Sequence, residues 1–397
     1  QMTNMNWTIS IRQSRSYSIS FRHHFSFWRH KNTQFESYLE TKLIRTSLYL
    51  QKASNMIFKR ITYALLILTL FCQTIVLAQS SNSTYSITKM SKPFIQPLHL
   101  KAGDSVAIVA PSGILRNREK EINQAKDLLK SWGLKVIVGE HVFKKANHFA
   151  GTDDERAEDF QNALDNPNIK AIWCARGGYG TVRMIDKLDY TKFRENPKWV
   201  IGYSDITAIH NQLNIEGSES IHAMMCTSLK DDLTEIEQTI ETFKCALFGQ
   251  PLSYTVKGSK QNKSGTATGP LVGGNLTLLH TMLGSKTSID TSGKILFIEE
   301  IGEYKYHIDR MLQSLKRAGY FNNLKGLIVG DMSNMRKNTT PWGTSIEQLI
   351  LDVVADYDFP VLFDFPAGHE DDNRALILGR TIELKVSKES SLVTFAN

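Results

Sequence analysis

Between residues 97 and 230, short apolar runs alternate with charged runs of helical pattern, and this alternation constrains the fold more than any other feature. "DSVAIVAPSG" reads as a buried strand ending in a Pro-Ser-Gly turn, and "KVIVGE" as a second strand. "IKAIWCA" is a third, running into "RGGYG", and "KWVIGYS" is a fourth. Runs this short and this apolar fit strands covered on both faces. Between them lie "REKEINQAKDLLKSWG", a helix closed by Gly133, and "TDDERAEDFQNALDNP", where Thr152 and Glu155 have capping-box spacing. Strands separated by helices in this way pair in parallel, so residues 97–250 are expected to form an α/β domain.

The pattern changes after about residue 230. "TEIEQTIETFKCALFG" reads as a linking helix. "PLSYTVKGS" and the glycine-rich "KSGTATGPLVGGN" alternate as β structure, and "KILFIEE", "LKGLIVGDM", "PVLFDFPAG" and "RTIELKV" supply further strands. "YKYHIDRMLQSLKRAG" is a helix with Ile308, Met311, Leu312 and Leu315 on one face. Residues 251–397 are therefore expected to form a second, smaller, β-rich domain. A chain of 397 residues has room for both.

The net charge of +7 first points to nucleic acid, but its location removes that inference. Residues 1–78 hold 10 of the 47 Lys and Arg and 2 of the 40 Asp and Glu, a local balance of +8, which leaves the remainder at −1. A nearly neutral globular part has no basic groove for a phosphate backbone. Within the leader, Lys59 and Arg60 precede a mostly apolar run over 61–77, and Val76-Leu77-Ala78 fits a cleavage site, so 56–78 reads as a signal peptide. Gln73 interrupts the run, which is short for a membrane anchor of about 20 apolar residues. Residues 1–55 are expected to be a non-structural extension and 79–96 a polar linker. Beyond Ala78 only Cys174, Cys226 and Cys245 remain, too few and too apolar in context for a disulfide framework or a metal site. Export without a need for disulfides fits a bacterial periplasm.

In open α/β sheets ligands bind beyond the carboxyl ends of the strands. Three polar loops fall there: Pro111-Ser112-Gly113, Arg176-Gly177-Gly178-Tyr179-Gly180 and Gly202-Tyr203-Ser204-Asp205. A serine nucleophile at such a turn would find backbone N–H donors beside it. On local pattern alone, however, Ser204 reads first as a helix N-cap, because Ile206 replaces the last glycine of a G-x-S-x-G elbow. "RGGYG" reads equally as a tight turn or as an anion- or oxyanion-binding loop. Among the eleven histidines, His369 is set apart by "DFPAGHEDD", which puts an imidazole on a loop ringed by carboxylates. His222 is a candidate pocket wall, and His210 reads as packed within a helix. Glu299 ends an apolar run, where a carboxylate is costly unless paired, and Glu300 should face the other way. Neither H-E-x-x-H nor C-x-x-C occurs, so no metal and no cofactor are expected.

Seven segments in order, "APSG" (110–113), "FAGTDDER" (149–156), "ARGGYG" (175–180), "GYSDIT" (202–207), "GPLVGGNL" (269–276), "ILFIEEIGEYKYHIDRML" (295–312) and "GH" (368–369), resemble the LD-carboxypeptidase family of serine peptidases. That family includes muropeptide tetrapeptidases and microcin-C immunity peptidases. The resemblance implies a Rossmann-like N-terminal domain with a parallel sheet, a β-rich C-terminal domain and a homodimer. It also implies a triad of Ser204 as nucleophile, His369 as general base and Glu299 as the residue orienting the imidazole. The backbone N–H groups of Asp205 and of Gly177-Gly178 would form the oxyanion hole, and Arg176 is the candidate for the substrate's terminal carboxylate. The implied substrate is a peptidoglycan tetrapeptide that loses its terminal D-alanine. The apparent export signal, which several muropeptide-recycling relatives lack, favours trimming in the periplasm, with no stable membrane anchor after processing. Ala223-Met224 departs from a Gly-Pro found in many relatives, which bears on pocket shape. Two other functions compete: a peptidase of peptidyl-nucleotide toxins, and a muropeptide-binding module without catalysis.

Overall fold

Each apolar run of the first half becomes a strand, and the polar residue that ends it becomes a loop at one edge of a sheet. The computed structural model describes residues 41–52, 56 and 93–396. The first sheet contains β1 (Ser105–Val109), β2 (Lys135–Val138), β3 (Ile169–Cys174), β4 (Trp199–Gly202) and β5 (Ser220–His222) in the order β2-β1-β3-β4-β5, all parallel. This doubly wound order has its switch point between β1 and β3, where the loops after the two strands diverge and leave a crevice. The helices packed around it are α1 (Glu119–Ser131), α2 (Asp153–Asp165), the short α3 (Thr181–Met184) and α4 (Thr191–Glu195), α5 (Thr207–Ile215) and α6 (Glu237–Phe248). Thr152 and Glu155 form the capping box at the start of α2, with bonds of 3.1 and 2.8 Å.

The second sheet is mixed. β7 (Gly265–Asn275), β8 (Ile295–Ile301), β9 (Gly326–Ser333) and the two-residue β10 (Val361–Leu362) run parallel. β12 (Thr381–Val386), β13 (Ser390–Phe395) and β6 (Ser253–Lys257) extend it antiparallel from β7. Helices α7 (Leu276–Thr281), α8 (Lys305–Arg317) and α9 (Ile346–Val353) accompany the parallel half. Ile308, Met311, Leu312 and Leu315 of α8 are buried, as their spacing requires.

The two sheets share more than a boundary. The three-residue strand β11 (Leu376–Leu378) pairs antiparallel with β5 at the edge of the first sheet, although β10 before it and β12 after it belong to the second. One apolar cluster runs from Trp173, Ile201 and Ile221 to Leu271, Phe297 and Ile328, so the core passes from sheet to sheet. Residues 41–52, expected to lack structure, form an exposed helix, consistent with the good helix formers in "TKLIRTSLYLQK". The signal-peptide segment after Met56, and the linker up to residue 92, lie outside the described residues.

At the junction, the Asn275 N–H donates to Thr207 Oγ1 at 3.0 Å, and a Cβ on Gly274 (φ 137°) would stand 2.5 Å from that same hydroxyl. Gly274→Ala should therefore lower stability by more than about 1 kcal/mol, from both backbone strain and the close approach. A lowered denaturant midpoint checks it; an unchanged midpoint would mean that α5 and β7 are not packed this closely.

Candidate active site

The loops after β1, β3 and β4 converge at the carboxyl edge of the first sheet. Ser204 stands directly after β4 with φ 62°, in the left-handed region that a side chain with a Cβ seldom adopts. It is not the N-cap that its local sequence suggests. Tyr203 occupies the cap position of a 3₁₀ turn over Ser204–Ile206, and no side chain caps that turn. Strain of this kind costs about 1–3 kcal/mol and is kept where the surroundings impose it. Here it swings the half-buried hydroxyl away from the helix, and Ser204 Oγ has no hydrogen-bond partner among the described residues.

The glycine loop lies over that hydroxyl. A Cβ on Gly177 would stand 3.1 Å from Ser204 Cβ and 3.3 Å from Ser204 Oγ, tighter than ordinary van der Waals contact. Gly178, at φ 110°, packs on Gly113, whose N–H donates to the Gly177 carbonyl at 3.0 Å. Asp205, second in a 3₁₀ turn, has no intrahelical acceptor for its N–H. Arg176 donates to the Ile114 carbonyl at 2.5 Å and makes no ion pair with a carboxylate among the described residues.

The imidazole comes from the second sheet. Glu299 and Glu300 follow Ile298 in β8, where the register against β9 shifts, and both are buried. Glu299 Oε2 lies 2.7 Å from His369 Nδ1. A carboxylate has only acceptors, so Nδ1 carries the proton and donates, which leaves Nε2 to accept. Glu300 faces the other way, as expected. It accepts from Asn275 Nδ2 at 3.2 Å, from the Thr277 N–H at 2.7 Å and from the Ile301 N–H at 2.9 Å, anchoring the start of α7. Burial pushes the Glu300 carboxyl up.

His369 lies on the crossover between β10 and β11, the segment that leaves one sheet for the other. Its loop is pinned to β9 by Asp331, whose N–H donates to the Ala367 carbonyl at 3.0 Å and whose Oδ2 accepts from the Glu370 N–H at 3.1 Å. Asn373 Oδ1 accepts from the Gly368 N–H at 3.1 Å, and the Asn373 N–H reaches Thr239 of α6 at 2.8 Å. Burial raises the Asp331 carboxyl to about 6. Asp331 escaped the sequence analysis although "LIVGD", a carboxylate ending an apolar run, is the signal that exposed Glu299.

The two halves meet through rings. Tyr203, next to Ser204, packs edge-on against His369 with centroids 5.0 Å apart, and His222 lies between Tyr203 and Phe297 at 5.8 and 5.0 Å. His222, a candidate pocket wall, is fully buried, and burial pushes its pKa well down. His210 is packed, as expected: its Nε2 donates to the Gly202 carbonyl at 2.8 Å and its Nδ1 pairs with Ser220 Oγ at 2.9 Å; burial lowers its pKa to about 4. The Ser204–His369 hydrogen bond is not formed, while the ring of Tyr203, one residue before Ser204, packs against the imidazole across the sheet junction. A cavity of about 310 Å³ opens beside them, lined by Tyr203, His369, Asn373, Thr239, Arg118 and Lys230. Among the described residues no cluster suited to a metal ion occurs.

With these features in place, comparison with known proteins defines the class. Residues 106–223 match the LD-carboxypeptidase N-terminal domain and residues 268–384 the LD-carboxypeptidase C-terminal domain. The chain is 33% identical to a probable murein peptide carboxypeptidase of Bacillus subtilis, over 75% of this chain and 94% of that one. The crystal structure of a muramoyltetrapeptide carboxypeptidase from Oxalobacter formigenes, 29% identical, superposes with a TM-score of 0.66 over 74% of this chain and 99% of that one. A structure of MccF in complex with glutamyl sulfamoyl guanosine, 22% identical over 75% of this chain and 98% of that one, shares the fold with a TM-score of 0.67. This chain belongs to the LD-carboxypeptidase family and is an enzyme of the serine carboxypeptidase type.

Burial alone would lower the His369 pKa, but the hydrogen bond and charge of Glu299, helped by Glu300 and Asp331, outweigh it and raise the value above 6.5. The protonated ring is thus favoured, and the proton leaves only as pH rises past that higher value. NMR titration of His369 should give a midpoint above 6.5 in the wild type and a lower one in Glu299→Gln, where burial acts with less opposition. A midpoint unmoved by the substitution would show that Glu299 does not set the protonation of this ring.

Proposed function

We propose that this enzyme removes the terminal D-alanine of peptidoglycan tetrapeptides through a Ser-Glu-His acyl-enzyme mechanism. The observation that carries the proposal is the Glu299–His369 pair at 2.7 Å, whose imidazole packs against Tyr203 beside a strained serine over which a glycine loop is laid. In this mechanism Ser204 Oγ attacks the carbonyl that joins the L-configured centre to D-alanine, while His369 Nε2 takes its proton. The carbonyl oxygen becomes an oxyanion near the N–H groups of Asp205 and of the Gly177-Gly178 turn, donors held in place before the charge develops. His369 then gives the proton to the departing amine, the C–N bond breaks, and free D-alanine leaves. Water, deprotonated by the same imidazole, cleaves the ester and restores Ser204. Glu299 keeps the ring in the productive tautomer and stabilises the imidazolium.

Arg176 is the cation we assign to the substrate's terminal carboxylate, because it lies beside Gly113 and the glycine loop without an acidic partner among the described residues. We also propose that the chain is exported to the periplasm, retains no membrane anchor once processed, and acts as a homodimer. The 56–78 pattern supports the export and the family resemblance supports the dimer. The murein peptide carboxypeptidase relatives favour this reading, while the fold likeness to MccF fits the peptidyl-nucleotide alternative.

Defined muropeptides incubated with the processed enzyme and followed by mass spectrometry test the proposal. Loss of D-alanine from L-Ala-γ-D-Glu-meso-Dap-D-Ala is expected, falling by about 10⁴-fold or more in Ser204→Ala and His369→Ala with the fold intact. An intact tetrapeptide alongside cleavage of a peptidyl nucleotide, or turnover that survives Ser204→Ala, would overturn it. In the same preparations an N-terminus at Gln79 and a light-scattering mass of two chains are expected; an uncleaved leader or a single chain would contradict those parts.

A further inference from the structure

Asp205 sends its side chain beneath the site, where the mechanism above gives it no role. The carboxyl is buried, and its Oδ2 accepts two hydrogen bonds, from Ser112 Oγ at 2.5 Å and from the Thr181 N–H at 2.9 Å. The Asp205 carbonyl accepts a third, from Thr181 Oγ1 at 2.7 Å. Ser112 belongs to the loop after β1, Thr181 closes the glycine loop after β3, and Asp205 follows Ser204 after β4. One residue therefore fastens three loops.

The first two loops are fastened to each other without it. Gly113 donates to Gly177 at 3.0 Å, and the buried Arg156 Nη1 bonds both the Pro111 carbonyl and, at 2.9 Å, the Gly180 carbonyl. The nucleophile turn is different. All the hydrogen bonds from residues 203–206 to the other two loops pass through Asp205. The spacing they maintain is close: a Cβ on Gly177 would stand 3.1 Å from Ser204 Cβ, tighter than ordinary contact.

Building on the serine mechanism proposed above, we infer that the Asp205 carboxyl is a positioning residue that sets the Ser204 hydroxyl in register with the Gly177-Gly178 backbone. The work is done by one oxygen, since Oδ1 has no hydrogen-bond partner. An amide carbonyl supplies the same acceptor, so asparagine should substitute where alanine cannot. A residue that merely held the fold together would change stability and leave the chemical step of the folded protein unaltered.

The test follows D-alanine release and the rate at which a fluorophosphonate probe labels Ser204 in Asp205→Ala, Asp205→Asn and Ser112→Ala. The probe reports the nucleophile and its oxyanion donors independently of peptide recognition. Asp205→Ala should lose about 100-fold in kcat and in labelling rate with KM within about threefold, the size of one displaced oxyanion donor. Asp205→Asn should recover to within about tenfold of wild type, and Ser112→Ala should fall between the two. A folded Asp205→Ala at wild-type rate, or an asparagine variant no better than alanine, would overturn the inference. If Asp205→Ala does not fold, Ser112→Ala and Asp205→Asn decide it, and a folded Ser112→Ala with unaltered kcat rejects it. Wild-type protein that takes no probe, or Ser204→Ala that still does, would reject the serine mechanism itself and is thereby distinguished.

Discussion

The hydrogen bond between His369 and Glu299 is the interaction on which the rest of the site depends, because the fully buried Glu299 side chain has no other hydrogen-bond partner among the described residues. A fully buried carboxylate carries a desolvation penalty of several kcal/mol, and removing one partner of such a pair typically costs about 3–5 kcal/mol. The imidazole is the donor that reaches Glu299, at 2.7 Å. Satisfying the acid therefore fixes the ring, and fixing the ring decides which nitrogen faces the nucleophile turn. Glu300, one residue later, shows the alternative: it is satisfied by backbone and amide donors around α7 and anchors a helix.

The crossover that carries His369 explains how two sheets can share one site. The chain leaves β10 in the second sheet, presents the imidazole, and enters β11 at the edge of the first. Any shift of one sheet against the other has to move that loop. Asp331 on β9 and Thr239 on α6 hold it from the two sides, while Tyr203 brings the nucleophile turn against the ring. The glycine positions at the junction follow from the same closeness. At Gly177 and Gly274 a side chain would meet Ser204 and Thr207 within van der Waals contact.

Much of this was legible in the residues. The first four strands announce themselves by apolar runs, although β2 is a half-exposed edge strand, and the loops after the other three are the ones that converge. Glu299 was visible as an acid at the end of an apolar run, and His369 as an imidazole among carboxylates after a Pro-Ala-Gly turn. What stayed hidden has physical reasons. β5 and β11 are three residues each, too short for any period to register, and they pair across more than 150 positions of sequence. The left-handed backbone of Ser204 is imposed by tertiary contacts, while its local sequence favours a cap, so propensity alone pointed the wrong way. The linkage of Ser112, Thr181 and Asp205 joins residues that are unremarkable one at a time. The helix at 41–52 lies in a segment read mainly for its charge.

The central claim is that a hydroxyl held by one sheet and an imidazole held by the other act on the same atom. A crystal structure of the enzyme after reaction with a phosphonate inhibitor tests it most directly. The account predicts phosphorus bonded to Ser204 Oγ, His369 Nε2 within about 3.2 Å of that oxygen, and the phosphoryl oxygen among the N–H groups of Gly177, Gly178 and Asp205. Phosphorus on another residue, or an imidazole beyond hydrogen-bond reach of the modified serine, would contradict it.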